Sequence, residues 1–447
     1  MPKEVSGVHL LDSEFIASLQ SEVANLQAKV MELEAENAKL SSQLSNCQCL
    51  QMEKKVEAAS VNYNSSVEEC KKLETSKAER EPKKVQAQTG YNTRTMNHHH
   101  RRYIALKVMY FGKRFYGFAS EAHMDPTVES EIFKAFEKTR LLVGDKKELQ
   151  YSRCGRTDKG VSSVGQVIAL FVRSNLKGSG DNNGSPGEIV FNEQHEGEID
   201  YVRVLNRVLP SDIRILGWCP VPVGFSARFN CLRREYKYFF WRGNLNLLSM
   251  ESAGTKFVGE HDFRNFCKMD AVNVHNYRRH VTSFEIFPTD VRYDGDQLWA
   301  FKIKGSAFLW HQVRCMVAVV FMIGQGLESP NVIDMLLDTD RTARKPQYSM
   351  APEFPLVLQF CEFENVKFTC SSDAGEALHR HLVNECRSYQ LQAAIFHEAL
   401  VSCLPISRDQ SSVSSGKTKK KASHVPLISR PTEPSYEERR AKFNSKA

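Results

Sequence analysis

Residues 313–323 read V-R-C-M-V-A-V-V-F-M-I, a helix-length run that is apolar on every side except at Arg314. A helix that is apolar all round has no solvent face and must lie inside a core. A buried guanidinium costs several kcal/mol unless an anion meets it. The fold must therefore bring a carboxylate to Arg314. Any nearby acid would satisfy that need as a structural ion pair. The sharper candidate is Asp158, which stands in Y-S-R-C-G-R-T-D-K-G-V-S-S-V-G-Q-V between Arg156 and Lys159 on a glycine-bracketed turn. Pairing with Arg314 would hold Asp158 ionised and aimed, as a carboxylate nucleophile or base requires. Taken by itself, an Asp in such a loop is ordinary turn chemistry.

Around these two residues the chain alternates strand and helix patterns. Residues 103–112 (YIALKVMYFG) read as a buried strand. Residues 125–144 read as a helix, with Asp125 as cap, Pro126 at the first helical position and Val128, Ile132 and Phe136 at spacings of four, ending before Gly144. GQVIALFV after the Asp158 turn is a strand, and YVRVLNRVLP and IRILGWCPV follow as helix and strand. In RREYKYFFW, Tyr236, Tyr238 and Phe240 share a strand face. In QLWAFKIKG, Trp299, Phe301 and Ile303 face one way and Lys302 and Lys304 the other. The apolar helix is stopped by Gly324 and Gly326. Such alternation with short gaps predicts an α/β or α+β class. Residues 176–200, rich in Gly, Ser and Asn, form an insertion predicted as a loop.

Ahead of this region lies a heptad. Ile16, Leu19, Val23, Leu26, Val30, Leu33, Asn37, Leu40 and Leu44 alternate spacings of three and four, with the polar Asn37 at a seam position. The pattern predicts a parallel two-stranded coiled coil over residues 13–47, after a flexible stretch at 1–12; a single amphipathic helix packed on its own domain is the alternative. No basic helix precedes the heptads, which excludes a basic-zipper DNA reader. Residues 48–100 read as a polar linker ending in N-H-H-H-R. At the other end, residues 366–404 suggest a helical extension, and residues 405–447 a disordered tail that is rich in Ser, Lys and Pro and carries G-K-T-K-K-K.

Bulk properties narrow the function classes. Lys and Arg number 60 against 53 Asp and Glu, a net charge of +7, which suggests an acidic partner only where the charge is clustered. No apolar run is long enough to span a membrane, and the N-terminus lacks a secretory layout, so a cytoplasmic or nuclear protein is expected. The 12 cysteines show no CxxC pair, which points to free thiols in a reducing compartment and away from structural zinc. Arg156 and Lys159 are natural phosphate contacts, and Tyr236 with Tyr238 offers a surface on which a base could stack, although core packing is the better explanation for at least one of them. Gly117, Phe118, Arg228, His261 and Asp262 sit in runs to which spacing alone assigns no role.

The run C-G-R-T-D-K-G-V-S-S-V-G-Q-V resembles the signature of the TruA family of pseudouridine synthases. The likeness continues in order through YFGKRFYGFASE, FSARFNCLRREYKYFF, GEHDFRNF and GSAFLWHQVRCMV, across residues 101–365. Gln312 stands where many relatives carry Met. The runs NRVLPSDIRILGW, CKMD and KPQYSMAPEFPLVL look most like the eukaryotic branch that acts on positions 38 and 39 of tRNA. The resemblance implies a fold of two subdomains, residues 101–230 and 231–365, each of mixed sheet plus helices, around a basic cleft. It implies Asp158 as the catalytic aspartate, Arg314 as its basic partner, Tyr236 stacked on the target uracil, and Arg156 holding the flipped nucleotide. The substrate would be tRNA, isomerised from uridine to pseudouridine. A homodimer is implied, to which the heptads could contribute, and no metal, nucleotide or redox cofactor. Two alternatives remain: an inactive tRNA-binding scaffold of the same fold, and a multi-site relative using other uridines.

Overall fold

The structure is a computed structural model and describes residues 21, 23–32, 34–36, 38–39, 100–120, 124–142, 146–176, 197–403 and 424–445. Two compact units are present, residues 1–90 and 91–447. In the first, the described residues between 21 and 39 are helical, and Val23, Leu26 and Val30 of the heptad are exposed. Asn37 and the other seam positions lie outside the described residues, so the predicted two-stranded coil is not confirmed. The linker up to residue 99 and most of the predicted insertion, residues 177–196, also lie outside them.

The second unit is built on nine strands. They are β1 (His100–Tyr110), β2 (Ser152–Arg153), β3 (Ser162–Ser174), β4 (Ile213–Pro220), β5 (Cys231–Trp241), β6 (Gly259–Asp262), β7 (Arg278–Tyr293), β8 (Asp296–Gly305) and β9 (Leu356–Phe363). They form one sheet in the order β4-β1-β3-β9-β5-β8-β7-β6, with β2 added on β3. Every pairing is antiparallel except β3 with β9, which is parallel and short: Ser162 faces Val357 and Ser163 faces Leu358. The Ser163 hydroxyl donates to the Leu358 carbonyl at 2.9 Å across this join. The two predicted halves thus share a continuous sheet.

Helices cover the sheet and divide its core. Helix α1 (Val128–Thr139) and α2 (Tyr201–Asn206) pack Val128, Ile132, Phe136, Tyr201 and Leu205 onto β1, β3 and β4. The cap of α1 is Thr127, not Asp125. Ser130 N donates to Thr127 Oγ1 and Thr127 N to Ser130 Oγ, both at 3.1 Å. This reciprocal box satisfies two end-of-helix amides at once, while Asp125 accepts the Ser130 hydroxyl and lies 3.6 Å from Lys134 Nζ. On the other half, α3 (Leu247–Thr255), α4 (Gln312–Gly324) and α5 (Val332–Leu337) close over β5, β7 and β8. Helix α4 is the apolar run, and all but two of its residues are buried. A smaller cluster of Tyr103, Ala105, Cys154, Val167, Ala169, Ala227, Cys231, Leu358 and Cys361 fills the middle of the sheet.

Helix α6 (Ser372–Val401) starts where Ser371 donates to Asp200 at 2.7 Å and Ala374 is buried, and it meets the sheet again where His397 Nδ1 lies 2.9 Å from the Tyr293 hydroxyl. Its second half exposes Tyr389, Leu391, Ile395, Phe396 and Leu400. No described helix is long and apolar enough to cross a membrane. The tail departs from its expected disorder. Residues 424–445 carry α7 (Tyr436–Asn444), bury Leu427 in the core beside α4, and pair Glu433 with the buried Lys345 at 2.9 Å. A few anchors in a polar segment are enough, because each one completes a buried partner.

Candidate active site

The Asp158 turn is shaped by main-chain bonds. Cys154 N donates to Val167 O at 2.8 Å, and Gln166 clasps Gly155 through both main-chain groups at 3.2 and 2.9 Å. Thr157 is buried, its hydroxyl 2.7 Å from that of Tyr110. From the neighbouring loop, Phe118 N donates to Thr157 O at 3.1 Å, and Gly160 N to Phe115 O at 3.2 Å. Gly117 makes the close approach possible: its φ is +105°, and a Cβ there would stand 3.0 Å from Thr157 O. Gly117 and Phe118 therefore hold the turn. His261 and Asp262 do not: Asp262 pairs with Arg264 at 2.7 Å on β6, and His261 binds the Val258 carbonyl.

The other wall comes from α4 and the segment before β9. Arg314, 9% exposed, does have carboxylate partners, and the nearer is Glu353. Arg314 Nη2 lies 2.8 Å from Glu353 Oε2, its Nε donates to Ala351 O at 2.8 Å, and its Nη1 is 3.9 Å from Asp158 Oδ2. Asp158 is thus the second and longer partner of Arg314. His311, the residue ahead of α4, takes a left-handed φ of 61° and places Nε2 3.5 Å from Asp158 Oδ2. Its buried Nδ1 has no hydrogen-bond partner. The Trp310 side chain, 49% exposed, favours the ionised form of Asp158, and Lys268 Nζ sits 4.1 Å from the Trp310 ring centroid.

These neighbours set the proton affinity of Asp158. Burial dominates and pushes its pKa up to about 6, and Glu353 adds to the rise. Arg314, Trp310 and Lys268 oppose it. Burial and the nearby cations push the His311 pKa down to about 4, so at neutral pH its contact with Asp158 is imidazole to carboxylate and not a charge pair. A carboxylate only 21% exposed, ionised above about pH 6 and faced by a guanidinium, is equipped to act as a nucleophile.

Among the other predicted residues, Tyr236 lies in electrostatic range of Cys361, Arg234, Cys154 and Tyr110 and makes no hydrogen bond with Asp158. Its ring meets Phe308 edge-on at 5.3 Å, and burial raises its phenol pKa far enough to keep it protonated. Tyr238 and Phe240 are core residues. Arg156 is exposed and its charge acts on Asp270, while Lys159 is exposed and lies 4.4 Å from the Tyr116 ring centroid. Neither makes a hydrogen bond or ion pair with Asp158. Arg228 is exposed beside Phe229. Four residues of the site were not singled out from the sequence: Lys268, Trp310, His311 and Glu353. Glu353 carried one usable signal, a lone acid in A-P-E-F-P-L while a buried arginine awaited an anion.

Residues 253–364 match a family model described as tRNA pseudouridine synthase. The chain is 48% identical over 296 residues to a Homo sapiens protein named tRNA pseudouridine(38/39) synthase, a match covering 64% of this chain and 60% of that one. A Bos taurus protein of the same name is 45% identical, with 68% and 64% covered. A Saccharomyces cerevisiae protein of that name is 40% identical, with 72% and 69% covered. The match thus spans under two thirds of the mammalian relatives' own length. The chain belongs to the tRNA pseudouridine synthase family, of the TruA type.

Proposed function

We propose that this chain isomerises uridine to pseudouridine at positions 38 and 39 of the tRNA anticodon stem-loop. The observation that carries the reading is Asp158, a partly buried carboxylate faced by Arg314 and His311. The names of the relatives support the substrate and the positions. In this reading Asp158 attacks the flipped uridine at the sugar or the base. The N1–C1′ bond breaks, the uracil turns, a C5–C1′ bond forms, C5 loses a proton and N1 gains one. The reaction is balanced without a redox partner. Flipping is needed because the reacting atoms are hidden in a stacked base. Arg314 keeps Asp158 ionised. Tyr236 stacks on the uracil, and its protonated phenol favours that role over proton removal. Arg156 holds the displaced nucleotide, and exposed Lys159 and Trp310 contact the RNA backbone and bases.

Residues 101–230 and 231–365 act as two subdomains of this enzyme, which works in the cytoplasm or the nucleus as a homodimer. The apolar side chains exposed on α6 and on the heptad helix support self-association. A monomeric mass for the full chain would refute that part.

The test of function is pseudouridine formation in unmodified tRNA by wild type and Asp158→Asn. Wild type should convert uridines 38 and 39, and the variant should bind the tRNA with at least about 10⁴-fold slower conversion. A wild type that binds but converts nothing would establish the inactive scaffold instead. Substrates with uridine at only one position, or elsewhere, separate the 38/39 reading from a multi-site enzyme.

A further inference from the structure

Three cysteines from three distant segments meet in the middle of the sheet. Cys154 precedes the Asp158 turn, Cys231 opens β5, and Cys361 lies on β9. All three are buried, and their sulfurs lie within 4.8 Å of one another. The CxxC spacing that usually announces such a cluster is absent because each ligand comes from a different stretch of chain.

Arg234 supplies a second, independent observation. Its guanidinium lies in electrostatic range of all three sulfurs. It donates to the carbonyls of Ser306 (2.6 Å), Cys154 (3.1 Å) and Arg228 (2.9 Å), and among the described residues no carboxylate pairs with it. Beside three neutral thiols, that partly exposed cation is met by carbonyls and solvent and by no anion. Three thiolates around a divalent ion carry one net negative charge, which Arg234 offsets. A monovalent ion would leave the site at minus one, so the charge sum favours a divalent, thiophilic metal.

We propose that Cys154, Cys231 and Cys361 bind one structural zinc ion. On binding, three S–H bonds break, three Zn–S bonds form and three protons pass to solvent, with no change of oxidation state. The fourth position falls to a solvent molecule or to the Arg233 carbonyl oxygen, which already lies 3.3 Å from Cys231 Sγ. The ion ties the chain leading into Asp158 to β5, which carries Tyr236, and to β9, which follows Glu353. It makes no contact with substrate and acts by holding these segments in register.

The test is metal analysis of untagged full-length protein purified without added metal or chelator. Wild type should carry about one zinc per chain, with an X-ray absorption shell of three sulfurs at about 2.3 Å. Cys231→Ala and Cys361→Ala should lose the ion, while Cys386→Ala, at an exposed cysteine of α6, keeps it. The absorption shell decides the matter even where a core variant fails to fold. Wild type that holds no zinc and takes up none under reducing conditions overturns the proposal. So does a nitrogen- or oxygen-rich shell, retention of zinc in the core variants, or a disulfide within the trio.

Discussion

The two walls of the site are built by different means. The Asp158 wall is main chain: the turn hangs on amide–carbonyl bonds from Cys154, Phe118 and Gly160 and on the Tyr110–Thr157 hydroxyl pair. The α4 wall is charge: Arg314 shared between Glu353 and Asp158, with His311 and Lys268 beside them. One wall sets where the carboxylate is. The other sets whether it is ionised. Substitutions on the first should therefore change rate without moving the pH profile, and substitutions on the second should move it.

The largest effect is expected from Arg314→Met. It removes the cation that opposes burial at Asp158, so the acid limb of the pH–rate profile should rise above pH 6, and conversion at neutral pH should fall about 100–1,000-fold. An unmoved limb would show that Arg314 does not govern Asp158. Next is Gly117→Ala, which forces a side chain into a left-handed φ beside Thr157 O. It should cost about 1–3 kcal/mol in denaturant unfolding and slow conversion about tenfold, with the limb in place. A shifted limb would break the distinction between the walls.

Glu353→Gln acts in the opposite sense to Arg314→Met. It removes a negative charge that raises the pKa of Asp158, and it frees Arg314 to turn to it. Both changes lower that pKa. Because the ionised carboxylate reacts, the acid limb should move below about 6, and activity at pH 5.5 relative to pH 8 should rise a few-fold. The groups facing Asp158 in this balance are Arg314, His311, Lys268, Trp310 and Glu353. The smallest catalytic effect is expected from Glu433→Gln, which leaves buried Lys345 without its counter-charge. Unfolding should become easier by about 1–3 kcal/mol, while conversion at saturating tRNA stays near wild type.

The same contrast explains what could be read from the chain. Asp158 and Arg314 were legible because each breaks a local rule: a carboxylate in a cationic turn, and a cation in an apolar helix. Their pairing followed from the cost of burying charge. Glu353 was not legible as the nearer partner, because only the packing of the segment before β9 against α4 brings it to Arg314. His311 is an unremarkable letter in the sequence, and its role rests on a backbone angle. The strand and helix alternation was legible as an α/β class, but the continuity of the sheet was not, since the β3–β9 join involves two residue pairs. The Thr127 cap lost to Asp125 in the sequence reading because side-chain reciprocity with Ser130 appears only once the turn is formed. Order in residues 424–445 was hidden by a polar composition, because its docking rests on scattered single contacts: Leu427 in the core, Glu433 on Lys345, His424 on Glu328 and Glu438 on Arg344.

The short β3–β9 join has a mechanical consequence. It lies four residues beyond Asp158 on one side and four beyond Glu353 on the other. When one half of a sheet pivots against the other, displacement grows with distance from the pivot. Atoms beside the join have a short lever arm, and the outer strands β4 and β6 have long ones. A pivot there would move the rims while the separation between Asp158 and Arg314 hardly changed. Chemistry placed at the fulcrum stays in register where the grip must give.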